Sequence, residues 1–184
     1  MDNSDQFLAA VAASGQAVIA VRSGIGVEAV GIEHAETSND IPYRTICTPS
    51  RFRGVESTLR FLVAGEAAQV ALGLKWFDDV DLMGQHSDVA NVIREWVKYW
   101  YPYPHFYSQH DDWTIDEVEE EIKHLIWLAR LQIRRRFRYE PERSVIETLA
   151  LKIQDRETLS GSEAERFIRV HYHSAKTKSE KGKF

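Results

Sequence analysis

The stretch that most constrains this chain is the almost wholly apolar run FLAAVAASGQAVIAV, residues 7–21. Asn3, Ser4 and Asp5 precede it as capping candidates and Arg22-Ser23-Gly24 closes it, which together predict a buried helix. Bulky apolar residues recur along it at helical spacing, whereas residues 12–15 are Ala-Ala-Ser-Gly. Because small side chains let another backbone approach closely, we expect a second element to pack tightly against this centre.

Size and charge favour one soluble domain. The chain has 184 residues, of which 43% are hydrophobic and 28% charged, enough for a single well-buried core. We expect one domain over residues 1–174 and a flexible basic tail over residues 175–184. The balance of 23 basic against 28 acidic residues, a net charge of -5, argues against nucleic acid as the partner.

Cysteine usage and the start of the chain indicate a cytoplasmic location. Cys47 is the single cysteine, so it cannot form an internal disulfide or a thiolate zinc cluster, and we interpret it as a small buried hydrophobe. Asp2 and Asp5 are acidic where a signal peptide needs basic residues. The apolar run is also shorter than the roughly 20 residues that a membrane span requires, so we expect no membrane insertion.

The remaining pattern predicts a mainly α fold with a small β-sheet, an α+β domain that ends in a helical bundle. Short strands are predicted at residues 27–33 and 43–47, and helices at 51–72, 88–101 and from the capping box at Thr114 onward, with further helices opened by Pro141 and by Ser160 or Ser162. Gly73 is placed to stop the second helix. The last helix is expected to be short.

Two clusters leave alternatives open. The aromatic stretch WVKYWYPYPHFY, residues 96–107, packs in the core or against a partner; a base-stacking platform would need basic neighbours that this stretch lacks. The arginine cluster of the helix after Thr114 suits a helix C-terminus, and phosphate binding is the alternative; its members are Arg134, Arg135, Arg136 and Arg138.

Three motifs in order carry a family resemblance. Residues 12–16, AASGQ, are followed by the strand-like VEAVGIE; residues 62–73 read LVAGEAAQVALG; and Ser87-Asp88 comes next. This order resembles the peptidase domain of the FtsH family of zinc metalloproteases, whose first helix bears His-Glu-Ala-Gly-His and whose second contains Leu-Ala-Gly-x-Ala-Ala-Glu. The C-terminal third is similar to the family's terminal helical bundle, so the resemblance covers roughly residues 7–170.

The resemblance implies a lost metal site. The family's zinc-ligand positions fall on Ala12, Gln16 and Asp88, and its general base falls on Ala13. Methyl groups donate nothing to zinc, and a neutral amide is a poor ligand, so we expect no bound metal, no cofactor and no catalytic residue. Gln16 and Asp88 are expected to form a residual polar site, in which the amide donates to the carboxylate; Asp88 acting only as a helix cap is equally consistent.

The resemblance therefore implies a pseudopeptidase, a protein- or peptide-binding or regulatory module related to proteolysis, with strand addition beside the vacated cleft as one means of binding. One alternative is an FtsH-like metalloendopeptidase with a relocated zinc site built from Asp88, His86 and distant histidines, namely His34, His105, His110, His171 and His173. Another is a plain interaction subunit that forms homo-oligomers, as the family's domains form rings. The sequence contains no G-x-x-x-x-G-K-[ST] loop, so we expect no ATP site.

Overall fold

The helices and strands are those of a computed structural model that describes residues 3–34, 43–49, 55–76 and 115–181. Within these ranges the elements are α1 Asn3–Arg22, β1 Val27–His34, β2 Tyr43–Pro49, α2 Val55–Ala71, α3 Ile115–Phe137, α4 Glu142–Arg156, β3 Thr158–Ser160 and α5 Gly161–Lys181. The mainly helical α+β prediction is confirmed. The predicted helix at 88–101 and the aromatic stretch at 96–107 lie outside the described residues.

Helix α1 lies at the centre of the fold. It packs against α2, α4, α5 and both long strands, and residues between 9 and 20 are buried except for Gln16, which is half-buried. The helix ends as the sequence predicts, because Gly24 adopts a φ of 67° and the N–H of Ile25 donates to the carbonyl of Ala20 over 2.8 Å. Gly73 ends α2 in the same way, with a φ of 75°.

The contact between α1 and α2 uses the small residues that the sequence singles out. A Cβ built on Gly15 would lie 2.6 Å from the carbonyl oxygen of Ala64 and 2.6 Å from the Cβ of Ala68. From the other side, a Cβ on Gly65 would lie 3.3 Å from the Cβ of Ala12. The prediction of close approach is therefore confirmed, and the two helices come so close at Gly15 that a Cβ there does not fit.

The sheet has the order β2-β1-β3, with both pairs antiparallel. Val30 lies opposite Cys47 of β2 and opposite Leu159 of β3. Val30, Ile32 and Leu159 are buried, which places one face of the sheet on the core. Strand β1 is thus paired along both of its edges, and β2 is the outermost long strand.

Helix α5 differs from its prediction in length. Ser160 caps it in a reciprocal box: the Ser160 N–H and hydroxyl both donate to Glu163, and these bonds lower the pKa of the Glu163 carboxyl. The expectation of a short helix is wrong, because α5 has 21 residues. No glycine or proline follows Gly161 before Gly182, so nothing in the sequence stops the helix earlier. It passes through residues 175–181 of the expected tail, whose mobility stays a prediction.

Length alone does not separate α1 from a membrane span. The helix extends beyond the predicted run, and residues 4–22 are long and apolar enough to cross a bilayer by length and composition. The argument from shortness is therefore wrong. Burial against the rest of the fold explains the apolar surface of α1 equally well, because a core helix has the same composition. The absence of membrane insertion stays a prediction.

A buried ion pair joins α2 to α3. The Nη2 of Arg130 lies 2.7 Å from the Oε2 of Glu66, and the side chain of Arg130 is fully buried while that of Glu66 is 10% exposed. On the same helix, Ala129, Ile133 and Phe137 are buried and form an apolar face. A charge that is buried without its counter-charge is strongly destabilising. The pair therefore disfavours any packing of α3 on α2 that would separate Arg130 from Glu66.

Replacing Arg130 tests that role. We expect Arg130→Met to lower the free energy of unfolding by about 3–5 kcal/mol, because it leaves the Glu66 carboxylate buried without its main counter-charge. The double variant Glu66→Leu with Arg130→Met should recover most of that loss. Urea denaturation followed by circular dichroism measures both.

A matched control uses an exposed pair of the same kind. Arg169, 66% exposed, pairs with Glu165 one turn away on α5. Arg169→Met should cost no more than about 1 kcal/mol. Equal losses for Arg130→Met and Arg169→Met would contradict a structural role for the buried pair.

Candidate functional site

The two ligand positions implied on α1 lie one turn apart. Ala12 is 8% exposed and contacts Gly65 of α2, whereas Gln16 is half-buried. Residues four apart share one side of a helix, so both point to the same region. Asp88 lies outside the described residues, and its hydrogen bond with Gln16 stays a prediction.

Ala13, the position of the family's general base, is fully buried in the core. A carboxylate there would have no access to water, and the methyl group that is present has no proton to exchange. The side chains at 12, 13 and 16 together offer one neutral amide. The described residues of α1 therefore do not fit a catalytic zinc ion, which requires three imidazole or carboxylate ligands.

The first half of α1 is held between α2 and β2. The Nε2 of Gln69, on α2, donates to the carbonyl of Leu8 over 2.9 Å. On the other side, the Oγ1 of Thr45, on β2, donates to the carbonyl of Ala9 over 3.2 Å. Ala12 and Gln16 follow these carbonyls by about one and two turns. A strand edge and a helix thus flank the stretch of α1 that carries the vacated positions.

Strand β2 presents an outward-facing row of backbone groups. The N–H of Ile32 donates to the carbonyl of Glu157, on the β3 side, over 2.8 Å. Because N–H and C=O groups alternate sides along a strand, Gly31 and its neighbours at 29 and 33 point toward β2. Their register partners at 44, 46 and 48 point back to β1. The backbone polar groups of Tyr43, Thr45 and Cys47 therefore face away from the sheet.

The histidines proposed for a relocated metal site are only partly described. His34 lies at the end of β1 and makes an edge-to-face contact with Tyr43, 5.3 Å between ring centroids. His171 stacks on Phe167. Among the described residues no group of three or more His, Cys, Asp or Glu side chains is arranged to hold a metal. His86, His105 and His110 lie outside those residues, so the alternative stays a prediction.

Cys47 is half-buried against the core, as its interpretation as a small hydrophobe requires. Burial raises the pKa of its thiol to about 12. A thiol with such a pKa is protonated at neutral pH, and the thiolate is the reactive form. Cys47 is therefore inert rather than nucleophilic in this fold.

One arginine of the cluster at the end of α3, Arg136, forms an ion pair that joins helices. The Nε of Arg136 lies 3.0 Å from the Oε1 of Glu142, which is itself buried and also accepts from the hydroxyl of Tyr172 over 3.3 Å. This set ties the end of α3 to α4 and α5. Arg136 therefore supports packing, in line with the expectation that the cluster serves the helix end.

Sequence reasoning missed one surface feature. Trp76 follows α2 in the sequence Gly73-Leu74-Lys75-Trp76, and it is 84% exposed. Because Trp76 lies beyond the helix-ending Gly73 and belongs to no apolar helical or strand period, the sequence gives no reason to place it in the core.

Comparisons with known proteins found no family profile that matches the chain and no curated protein that matches its sequence. The resemblance therefore depends on the three motifs and on the positions of their residues.

The thiol of Cys47 provides a test of the site's packing. With a pKa near 12 instead of the ordinary 9.0, we expect native protein to react with iodoacetamide at pH 8 at least roughly a hundredfold more slowly than protein in urea, because the thiolate is scarce and shielded. Mass spectrometry of the alkylated protein over time measures both rates. Comparable rates in the native and unfolded states would contradict the buried position of β2 on α1.

Proposed function

We propose that this chain is a non-catalytic relative of the FtsH-type zinc metallopeptidases that binds an extended polypeptide along the outer edge of β2. The observation that carries the proposal is the outward row of N–H and C=O groups at Tyr43, Thr45 and Cys47, next to the part of α1 that holds Ala12 and Gln16. An unpaired strand edge is the standard acceptor for strand addition.

Three features support the non-catalytic part of the proposal. The base position is a methyl group within the core, the first ligand position is a methyl group against Gly65, and the second is a neutral amide. These three side chains supply one neutral amide as a metal ligand and no carboxylate that could take a proton from water. Binding without cleavage is what the remaining geometry allows.

Two other functions, a metalloendopeptidase and an oligomeric interaction subunit, remain competing proposals. A metalloendopeptidase with a relocated zinc ion would need histidines and Asp88 from outside the described residues, and an oligomeric interaction subunit would need a surface between copies. Neither has an observation in its favour among the described contacts. Strand addition has one, since both edges of β1 are paired and, among the strands of the described residues, β2 ends the sheet.

A proline on the outer edge tests polypeptide binding. We expect Thr45→Pro to weaken the binding of fluorescein-labelled casein at least tenfold in about 0.5 M salt, where attraction to exposed basic side chains is screened. Proline removes an outward N–H that would donate to the added strand and leaves the bonds to β1 intact. Fluorescence anisotropy measures the affinity.

Thr45→Val is the matched control, because it loses the hydroxyl bond to Ala9 but keeps the backbone N–H. It should bind casein as the unaltered protein does. If both variants bind equally well, or if casein does not bind the unaltered chain, strand addition at β2 is excluded.

Restoring the ligands tests the family assignment independently. If the alignment is correct, Ala12→His with Gln16→His should bind Zn²⁺ with micromolar affinity or better, because the family carries two imidazoles at these positions and they would meet the Asp88 carboxylate. Circular dichroism checks that the larger side chain at position 12 leaves the fold intact. Adding Asp88→Ala should lower that affinity at least tenfold. Isothermal titration calorimetry measures both.

A second histidine pair separates a three-ligand site from two exposed imidazoles. Glu165→His with Arg169→His places the same pair at the same spacing on the exposed side of α5. Zinc affinities that are equal for the two pairs, or unaffected by Asp88→Ala, would overturn the alignment while leaving the β2 result untouched.

A further inference from the structure

Trp76 is the most exposed large apolar side chain in the described part of the protein, at 84% of its surface. It follows the C-terminus of α2 by a few residues, and Leu74 before it is 43% exposed. Each apolar Å² left in water costs about 25 cal/mol, so a tryptophan in this position leaves a large share of its burial energy unused. Something that covers the ring would recover that energy.

The ring stands beside a cationic cleft of about 300 Å³. The end of α2, residues 70–73, forms an apolar wall, and the other lining side chains are Lys75, Trp76, Arg134, Arg138 and Arg143. Val70 and Ala71 are buried within that wall. Basic side chains from three separate segments therefore converge on an apolar surface with a tryptophan at its edge.

The ion pair of Arg143 leaves its guanidinium available to a ligand. Arg143 pairs with Glu147 over 3.0 Å, but both side chains are more than 40% exposed, and such surface pairs contribute only about 0–1 kcal/mol. Arg143 can therefore exchange this carboxylate for another. Lys75 and Arg138 are exposed on the same cleft.

Helix polarity decides which anion suits the cleft. The cleft lies at the C-terminus of α2, where Gly73 and Leu74 cap carbonyls of the last turn, and Arg138 directly follows the C-terminus of α3. Each helix end carries about half a negative charge, which repels a compact phosphate. Phosphate sites use free N–H groups at a helix N-terminus. Arg143 lies in the first turn of α4, but the N–H groups of residues 143–145 in that turn already donate to Tyr139, Glu140 and Pro141. The separate carboxylates of a polypeptide can pair with the long lysine and arginine side chains of the cleft at a distance from the helix ends, where this repulsion is weaker.

We infer that this cleft binds an acidic segment of another polypeptide, whose carboxylates pair with Lys75, Arg138 and Arg143 while an apolar side chain covers Trp76. Tryptophan and arginine together are the commonest anchors of protein interfaces, and the cleft's apolar wall gives the partner's side chain a surface to contact. This surface is distinct from the β2 edge, so the inference does not depend on strand addition.

The test uses defined peptides and fluorescence anisotropy at low salt. The first probe is a labelled peptide of glutamates around a central phenylalanine, the second has alanine in place of the phenylalanine, and the third has lysines in place of the glutamates. We expect the first to bind, the second at least threefold more weakly, and the third not at all. Binding of the first should weaken as salt rises, because exposed charges are screened.

Charge reversal within the cleft identifies the site. Arg138→Glu should weaken the first peptide at least tenfold, and Trp76→Ala should remove the difference between the first and second peptides. Arg166→Glu is the matched control, because Arg166 is exposed on α5 and does not line the cleft. It should bind like the unaltered protein. All three replaced residues are exposed, so thermal melting should confirm that each variant folds.

Two results would overturn the inference. Equal affinities of Arg138→Glu and Arg166→Glu would show that net charge alone, and not the cleft, attracts the peptide. Binding of pyrophosphate or ADP that Arg138→Glu abolishes, without binding of the acidic peptide, would make the cleft a phosphate site. The Thr45→Pro variant should bind the acidic peptide normally, which separates this inference from strand addition.

Discussion

The close contact between α1 and α2 is the constraint on which the rest of the fold depends. Gly15 meets the backbone at Ala64, and Gly65 meets Ala12, so the two helices approach to a distance that any larger side chain would prevent. The other sides of α1 pack against α4, α5 and the sheet. Dense packing around one central helix then leaves little room for adjustment, since protein interiors are close-packed.

The same contact sets the surroundings of Ala12, Ala13 and Gln16 on α1. Ala12 lies against Gly65 of α2, and Ala13 is buried in the core. Gln16 alone retains a polar group at the margin of the core. The stretch is therefore part of the structural centre of the molecule, and the strand β2 and the helix α2 flank it.

Buried polar groups tie the outer helices to this centre. Arg130 and Glu66 join α3 to α2, and Arg136, Glu142 and Tyr172 join α3 to α4 and α5. Such groups contribute little net stability compared with apolar residues, but they strongly penalise a shifted arrangement, because a displaced charge would be buried without its partner. The cationic cleft beside Trp76 is formed where these helices end, so its shape depends on the same contacts.

Local sequence determined the elements that have strong periodicity and clear end signals, because capping and propensity are local effects. These elements are α1, which ends at Gly24, α2, which ends at Gly73, the two long strands, and the helix start capped by Ser160. The length of α5 was misjudged from a polar composition that does not itself end a helix. Tertiary structure alone decided that β3 pairs with β1, that Arg130 is buried, and that Lys75, Arg138 and Arg143 share a cleft with Trp76. These depend on residues far apart in the chain, whose meeting is set by packing and cannot be read from local pattern.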